Sequence, residues 1–133
     1  MFECLILGDS IAVGVSKNRP ECAVYAHVGI NSSNFNKRYA GEFFSNLVII
    51  SLGTNDSKKI NTREELEALR ARVLAKERVI WILSASNMQL NDILRRVAEK
   101  HGDSIITPHP NYVSKDGIHP TATGYRWLAS FAI

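Results

Sequence analysis

The sequence predicts an α/β protein, a three-layer α/β/α sandwich around a parallel sheet of five strands. Two observations predict it. Short apolar runs alternate with amphipathic segments along the chain, and glycine or small polar residues follow most of the apolar runs. Strands that alternate with helices at this spacing form a parallel sheet with helices on both faces. We expect the flavodoxin-like strand order 2-1-3-4-5.

The first apolar run, residues 4–7 after Phe2, leads through Gly8 and Asp9 to Ser10. An apolar run that ends in glycine is typical of a buried strand that turns tightly into a helix. Ser10 is therefore predicted at the C-terminal edge of a strand, where ligands bind in open α/β sheets. The free N–H groups and positive end of the next helix suit a hydroxyl that attacks and leaves an oxyanion.

The next segments predict two strands and a helix. A polar loop at 16–21 precedes a short strand at 22–26. A helix is predicted at 34–42. The clearest strand follows at 46–52, where a near-continuous apolar run is typical of a strand buried on both faces.

The middle of the chain predicts a capped helix and a fourth strand. Thr62 and Glu65 form a capping-box signature for an amphipathic helix at 63–76. The residues on its apolar face are Leu66, Leu69, Val73 and Leu74. The apolar run at 78–83 predicts a strand.

The last third predicts two helices and a weak strand. The first helix spans 87–100, with Gly102 just past its end. A weak fifth strand follows at 103–107. A closing helix at 121–131 has Pro120 near its first turn.

Size and composition favour one soluble domain over residues 1–133. The hydrophobic content of 45% and the charged content of 22% are ordinary for a globular protein. The net charge of +3 is mild and its basic clusters are short, so nucleic-acid binding is not expected. The chain shows neither a membrane span nor a signal peptide, which predicts a cytoplasmic location unless the chain is a processed form.

The two cysteines, Cys4 and Cys22, both fall in predicted strands and lack metal-ligand spacing. Buried free thiols are favoured over a disulfide. The four histidines show no pairing at metal-ligand spacing either, so neither a metal nor another cofactor is expected.

Polar residues follow several of the predicted strands. Ser10 follows the first, Gly29 the second and Asn55 the third, and Asp116 with His119 follows the fifth. Parallel strands deliver their C-terminal ends to one side of a sheet, so these distant residues are expected to converge in one crevice.

Acyl transfer gives each of these residues a role. A serine hydroxyl needs a base, and His119 is the candidate for Ser10. Asp116 is placed to accept from the other ring nitrogen and to fix the tautomer. The N–H groups of Ser10 and Gly29, with the Asn55 amide, are the candidate oxyanion donors.

Each of these short patterns also has a structural interpretation. A serine after a strand is more often a helix N-cap than a nucleophile. Gly53-Thr54-Asn55-Asp56 is compatible with a simple turn, and His119 with a surface histidine. The joint occurrence of the patterns, in this order and at one sheet edge, favours the site.

These residues carry a family resemblance. Four blocks that span nearly the whole chain resemble the four sequence blocks of the SGNH hydrolases, the GDSL-type esterase and lipase superfamily. The blocks are Gly8-Asp9-Ser10-Ile11, Gly29 within Val-Gly-Ile-Asn-Ser, Gly53-Thr54-Asn55-Asp56, and Asp116-Gly117-Ile118-His119-Pro120.

The resemblance implies a flavodoxin-like fold, no metal, and a defined set of roles. Ser10 is implied as nucleophile, His119 as base and Asp116 as its partner, with Ser10, Gly29 and Asn55 forming the oxyanion hole. Asp9 and Asp56 match motif positions that we expect to brace loops rather than react.

Two departures from the family pattern bear on the substrate. The chain is short, so the loops that usually build a pocket are trimmed, and the second block is degenerate around Gly29. We expect an open, shallow site for a small acyl group, acetyl in the first instance, on a larger carrier such as a sugar.

Three further residues are candidates for contact with substrate. Asn87 and Met88 follow the fourth predicted strand, at the same sheet edge as Ser10. His109 lies between two prolines in a loop near the site, where a rim or structural role is favoured over catalysis. His27 is interpreted as an ordinary surface or strand-end histidine.

The main hypothesis is a serine esterase that works through an acyl-enzyme. A non-catalytic binding or assembly module on the same fold is the alternative, motivated by the short chain. A nucleotide or phosphate binder is disfavoured, because the first loop lacks the glycine-rich phosphate pattern and Asp9 would repel phosphate. Neither the oligomeric state nor the identity of the ester follows from the sequence.

Overall fold

The computed structural model describes residues 2–131, residue 2 by its backbone alone. The elements are β1 (Phe2–Gly8), α1 (Ser10–Ser16), β2 (Ala23–Ala26), α2 (Ser32–Arg38), β3 (Phe43–Ser51), α3 (Thr62–Arg70), β4 (Val73–Ile82), α4 (Met88–His101), β5 (Ser104–Ile106), a 3₁₀ turn (Pro110–Tyr112) and α5 (Ala122–Phe131). Within these residues the five strands form one parallel sheet in the order β2-β1-β3-β4-β5. The predicted fold class and strand order are confirmed.

Helices cover both faces of the sheet, and each face has its own apolar core. On one face, side chains of α2, α3 and α4 pack against the strands, and the fully buried Trp81 of β4 lies among them. On the other face, α1 and α5 pack against the sheet through side chains such as Ile11, Val15 and Leu128. Parallel sheets need this cover on both faces, because their strands are apolar on both sides.

The largest difference from the predicted elements lies between α3 and β4. The helix expected at 63–76 ends at Arg70, and β4 begins at Val73, five residues before the predicted strand. Val73 pairs with Phe43 and Leu74 with Phe44 in the sheet. Both residues therefore lie in β4, although their spacing from Leu66 and Leu69 also fits the apolar face of a helix. Leu74 is consequently exposed instead of lying on the apolar face of a helix.

The start of α3 also differs from the capping-box prediction. The N-cap is Asn61, whose side chain accepts a hydrogen bond from the Glu64 N–H at 3.1 Å. Thr62 is the first residue of the helix, and its hydroxyl donates to Asp56 at 2.8 Å. Asparagine is as good an N-cap as threonine. The Asp56 carboxylate gives the Thr62 hydroxyl a partner other than the helix N–H groups.

The expectation of free thiols is wrong. Cys4 and Cys22 form a disulfide, with their Cα atoms 4.8 Å apart. The register of the sheet explains the disulfide. Leu5 lies opposite Ala23, so Cys4 and Cys22, the residues just before them, lie side by side. Both cysteines are buried.

No helix within residues 2–131 combines the length and the apolar character that crossing a lipid bilayer requires.

Candidate active site

Ser10 lies where β1 ends and is the first residue of α1. Gly8, at φ +139°, makes the tight turn possible, because a Cβ there would stand 1.7 Å from the carbonyl oxygen of Ser51. Asp9 caps the helix by accepting a hydrogen bond from the Ile11 N–H at 3.1 Å. The Ser10 N–H is one of those that helix geometry leaves without an intrahelical partner.

The structure brings Ser10, His119 and Asp116 into one chain of hydrogen bonds. Ser10 Oγ lies 2.9 Å from His119 Nε2, although 109 residues separate the two in sequence. His119 Nδ1 lies 2.7 Å from Asp116 Oδ2. A carboxylate can only accept here, so Nδ1 carries the proton and Nε2 is free to accept the proton of the serine hydroxyl.

A short, braced loop holds Asp116 and His119 in this geometry. An isolated antiparallel bridge joins Val113 to Pro120 at the base of the loop. The other carboxylate oxygen, Asp116 Oδ1, accepts from the backbone N–H groups of Ile118 at 2.8 Å and His119 at 2.9 Å. The carboxylate is thus fixed by the same backbone that carries the imidazole.

Ser114 belongs to this arrangement and was not among the predicted site residues. Its Oγ lies 2.8 Å from Asp116 Oδ1 and 2.8 Å from the carbonyl oxygen of His119, so its proton can serve either acceptor. Its N–H donates to the same carbonyl at 2.8 Å. A serine two residues before the aspartate was the only available signal, and such spacing is common in turns.

The pKa of Asp116 is held well below its ordinary value. The hydrogen bond with the His119 side chain is the main cause, followed by the N–H groups of His119 and Ile118 and by the Ser114 hydroxyl. The carboxylate therefore stays ionised throughout the pH range in which an imidazole titrates. An ionised partner is what an imidazole needs if it is to gain a proton during a reaction.

Gly29 and Asn55 follow the two strands that flank β1. Gly29 has φ +81°, and no atom lies within 4 Å of the position of an added Cβ. Glycine is favoured here by the left-handed backbone, not by close contact with the protein. The Asn55 amide donates one N–H to the Ile30 carbonyl at 3.1 Å and has no partner for its second N–H among residues 2–131.

Asp56 ties the loops that carry Gly29 and Asn55 to each other. Its carboxylate accepts from the Ser32 N–H at 2.7 Å, the Ser32 hydroxyl at 2.5 Å and the Thr62 hydroxyl at 2.8 Å. Three donors from two helices therefore converge on one carboxylate. These contacts match the bracing role expected of Asp56.

Asp9 is buried directly beside the candidate nucleophile, with 1% of its surface exposed. One carboxyl oxygen accepts from Ile11 N–H and from the Ser51 hydroxyl at 3.0 Å. The other oxygen is buried without a hydrogen-bond partner among residues 2–131. Burial raises the pKa of this carboxyl to about 6, against the lowering effect of its hydrogen bonds.

The hydrogen-bonded chain itself is open to solvent. The side chains of His119 and Asp116 are 42% and 46% exposed. Two clefts lie near the candidate oxyanion donors: one of about 510 Å³ includes Gly29, and a smaller one of about 180 Å³ includes Gly53. Ser10, Asp116 and His119 line neither cleft, and the exposure of the His119–Asp116 pair indicates a shallow site.

Asn87, Met88 and His109 occupy different surroundings. Asn87 lines the smaller cleft beside Gly53, and its side-chain oxygen caps α4. Met88 is 59% exposed. His109 accepts from the Asn111 N–H, stacks on Tyr112 and meets Trp127 edge-on, contacts that give it a structural role. Contact of these side chains with substrate stays a prediction.

Among residues 2–131, one cluster brings potential metal-ligand atoms within 4.8 Å of each other: Cys4, Glu21 and Cys22. The two sulfurs are bonded to each other, so neither is a thiolate that could bind a metal. The oxidised cluster is therefore a poor metal site.

Comparison with solved structures shows which fold this is. A GDSL-like lipase from Bacteroides thetaiotaomicron superposes with a TM-score of 0.68 and 18% sequence identity, covering 96% of this chain and 83% of the lipase. A member of the lipolytic protein G-D-S-L family from Veillonella parvula gives a TM-score of 0.66 at 18% identity, over 96% of this chain and 93% of its own. The chain has the fold of the SGNH hydrolase superfamily.

A third similar structure is the C-terminal catalytic domain of peptidoglycan O-acetyltransferase A from Streptococcus pneumoniae, with a methylsulfonyl adduct. It gives a TM-score of 0.59 at 13% identity, over 96% of this chain and 88% of that domain. No protein-family model matches the sequence, and no curated protein matches it.

Proposed function

We propose that this chain is a serine esterase that hydrolyses small acyl esters, acetyl esters in the first instance, through an acyl-enzyme. The observation that carries the proposal is the continuous hydrogen-bonded chain from Ser10 Oγ through the His119 imidazole to the Asp116 carboxylate. That arrangement activates a serine hydroxyl whatever fold presents it. The similarity to lipases and to an acetyltransferase domain supports acyl chemistry on this fold.

In the first half of the reaction, Ser10 Oγ attacks the ester carbonyl while His119 Nε2 takes the hydroxyl proton. Asp116 stabilises the resulting imidazolium through its bond to Nδ1. The carbonyl oxygen becomes an oxyanion, for which the Ser10 N–H, the Gly29 N–H and the second Asn55 N–H are the proposed donors. Collapse then breaks the bond to the alcohol oxygen, and the imidazolium returns its proton to that oxygen.

In the second half, water replaces the alcohol. His119 takes a proton from the attacking water, the acyl–serine bond breaks, and the proton returns to Ser10 Oγ. The products are a carboxylic acid and the regenerated enzyme. The openness of the site suits an ester on a larger carrier, such as an acetylated carbohydrate, because only the acyl group needs to enter it.

The test is hydrolysis of 4-nitrophenyl acetate by wild type and by Ser10→Ala. The variant should lose about 10³-fold or more in kcat/KM while its thermal unfolding is unchanged. Ser130→Ala is the matched control, since this exposed hydroxyl on α5 donates to the Trp127 carbonyl and lies outside the hydrogen-bonded chain. Retention of most of the activity by Ser10→Ala would exclude the mechanism.

The acyl preference has its own test. Along a series of 4-nitrophenyl esters of increasing acyl chain length, the hydrolysis rate should fall beyond the shortest acyl groups. Acetylated sugars are assayed in parallel as esters on a larger carrier. A long-chain ester hydrolysed faster than the acetate would contradict the proposed preference for small acyl groups.

A further inference from the structure

The larger cleft beside Gly29 has a charge pattern that the proposed chemistry does not use. Its lining consists of His27, Val28, Gly29, Ile30, Asn34, Lys37 and Arg38. Lys37 and Arg38 supply two positive charges, and no carboxylate is present among these described lining residues. A volume of about 510 Å³ is within the range of small-molecule sites.

The two cations come from the last turn of α2, where both side chains are exposed. Arg38 lies over the Tyr39 ring, with its guanidinium carbon 5.5 Å from the ring centroid, and this contact limits where the side chain can reach. Asp56, the carboxylate that joins the loops after β2 and β3, accepts three hydrogen bonds from Ser32 and Thr62. It is therefore committed to the loops and does not line the cleft.

The rest of the lining consists of apolar side chains, Gly29 and the neutral polar side chains of His27 and Asn34. Val28 is 65% exposed at the cleft, while Ile30 is buried beneath it. His27 donates its Nδ1 proton to the Val28 carbonyl at 2.9 Å, since a carbonyl can only accept. The cleft therefore combines Gly29 with the apolar Val28 and Ile30. Lys37 and Arg38, from the last turn of α2, also line it.

We infer that this cleft binds an anionic group of the substrate, so that the preferred ester carries a carboxylate or a phosphate a short distance from the ester carbonyl. The inference rests on the proposed function, because Gly29 is a candidate oxyanion donor and also lines the cleft. Because Gly29, Val28, Lys37 and Arg38 all line this cleft, an ester whose carbonyl oxygen is bound by the Gly29 amide shares the cleft with the two cationic side chains. Lysine and arginine recognise carboxylates and phosphates through charge-assisted hydrogen bonds.

The anion can belong to the acyl group or to the alcohol, and two pairs of esters distinguish these sources. For the acyl side, mono-4-nitrophenyl glutarate is compared with the neutral 4-nitrophenyl pentanoate, after subtraction of the uncatalysed rate. For the alcohol side, 4-acetoxybenzoate is compared with its neutral methyl ester. Each pair gives a selectivity, the ratio of the anionic to the neutral kcat/KM.

The test compares these selectivities in wild type and in the double variant Lys37→Gln/Arg38→Gln. The selectivity of at least one pair should fall about five- to tenfold, as expected for two partly solvated ion pairs. Added salt should reduce the wild-type selectivity in the same direction. The pair that responds identifies the side of the ester that carries the anion.

Arg95→Gln/Arg96→Gln is the matched control, because it also removes two adjacent exposed cations from a helix but lies outside the cleft. Its selectivities should stay within about twofold of wild type. Unchanged selectivity in Lys37→Gln/Arg38→Gln, or an equal fall in the control, would overturn the inference.

A binding measurement separates this inference from the proposed function. Glutarate and inorganic phosphate are titrated into Ser10→Ala protein while the amide resonance of Gly29 is followed by NMR. A saturable shift that Lys37→Gln/Arg38→Gln weakens supports the cleft even if wild type hydrolyses no ester. The absence of any saturable shift with either anion refutes the anion site, whatever the esterase activity.

Discussion

His119 Nε2 lies 2.9 Å from Ser10 Oγ, and this contact joins the beginning of the described chain to its last loop. Ser10 is placed by the β1–α1 turn, and His119 by a loop that ends at Pro120, just before α5. Because α1 and α5 share one apolar core on the same face of the sheet, packing of the two helices brings the two side chains together.

The Asp116 carboxylate is predicted to matter through its charge rather than its shape. Asp116→Asn keeps an acceptor oxygen but cannot stabilise the imidazolium, and the new amide also favours the wrong tautomer of His119. We expect kcat/KM for 4-nitrophenyl acetate to fall roughly 10³-fold, less than for a fully buried carboxylate because this one is half exposed. Asp92→Asn, an exposed carboxylate on α4, is the control, and equal activity of the two variants would show that Asp116 plays no part.

Gly29 is predicted to be needed for activity at a modest cost in stability. Gly29→Ala forces a side chain onto a backbone with φ +81°, which costs about 1–2 kcal/mol, while the added methyl group meets nothing. The strain is expected to move the amide and to lower kcat by about tenfold or more. Gly102→Ala, at φ +68° after α4, should lose similar stability and keep its activity. Similar kinetics for the two variants would remove the Gly29 N–H from the oxyanion hole.

The buried Asp9 carboxyl is predicted to make stability fall as the pH rises. Its pKa is raised from 3.8 to about 6, so between these values the folded state holds a proton that the unfolded state has released. The free energy of unfolding should therefore decrease across this window by about 2–3 kcal/mol and then level off. Below pH 4 the depressed pKa of Asp116 acts in the opposite direction, because its contribution to stability is lost as that carboxylate is protonated.

Urea unfolding of wild type and Asp9→Asn from pH 4 to pH 7 isolates this effect. Asparagine keeps the helix cap, so the variant should fold. The difference between the two unfolding free energies should change in the variant's favour as the pH rises from 4 to 6. A difference that stays constant across the window would show that Asp9 does not titrate there.

The Cys4–Cys22 disulfide is predicted to stabilise the start of the sheet. It closes a loop with a sequence separation of 18, and removing such a link costs about 3 kcal/mol in the chain-entropy model. Cys4→Ala/Cys22→Ala should unfold at lower urea concentration than oxidised wild type, and reductant should destabilise wild type alone. Alkylation of both cysteines in unreduced, denatured wild type would contradict the bond. Disulfides are rare in the cytoplasm, so alkylation of free thiols in intact cells also tests the cytoplasmic location expected from the sequence. An oxidised Cys4–Cys22 pair in cells would speak against that location.

The sequence was sufficient to predict which strand ends the candidate residues follow, because parallel strands leave little freedom in where their ends lie. Once Ser10, Gly29 and Asn55 were each assigned to the end of a strand, they had to share one edge of the sheet. In the structure β2 and β3 flank β1, so Gly29 and Asn55 follow the two strands that neighbour the strand before Ser10. Ser10→Ala and Gly29→Ala test whether two of these residues act in catalysis.

Details that depend on register or on competing partners were beyond the sequence. Val73 and Leu74 continue the helical period of α3, and only their pairing with Phe43 and Phe44 extends β4 instead. The cysteines become neighbours only through the Leu5–Ala23 register, which no local pattern specifies. Tertiary contacts, rather than local propensity, decided both features.

Activation of Ser10 by His119 makes the serine reactive towards electrophilic phosphorus, so covalent labelling reports on the proposed nucleophile. A fluorophosphonate probe should modify wild type with one equivalent on Ser10, located by peptide mass spectrometry. Ser10→Ala should not react, and His119→Ala should react far more slowly because its serine lacks a base. Labelling of Ser10→Ala to the same extent as wild type, or no labelling of wild type at all, would contradict a nucleophilic Ser10.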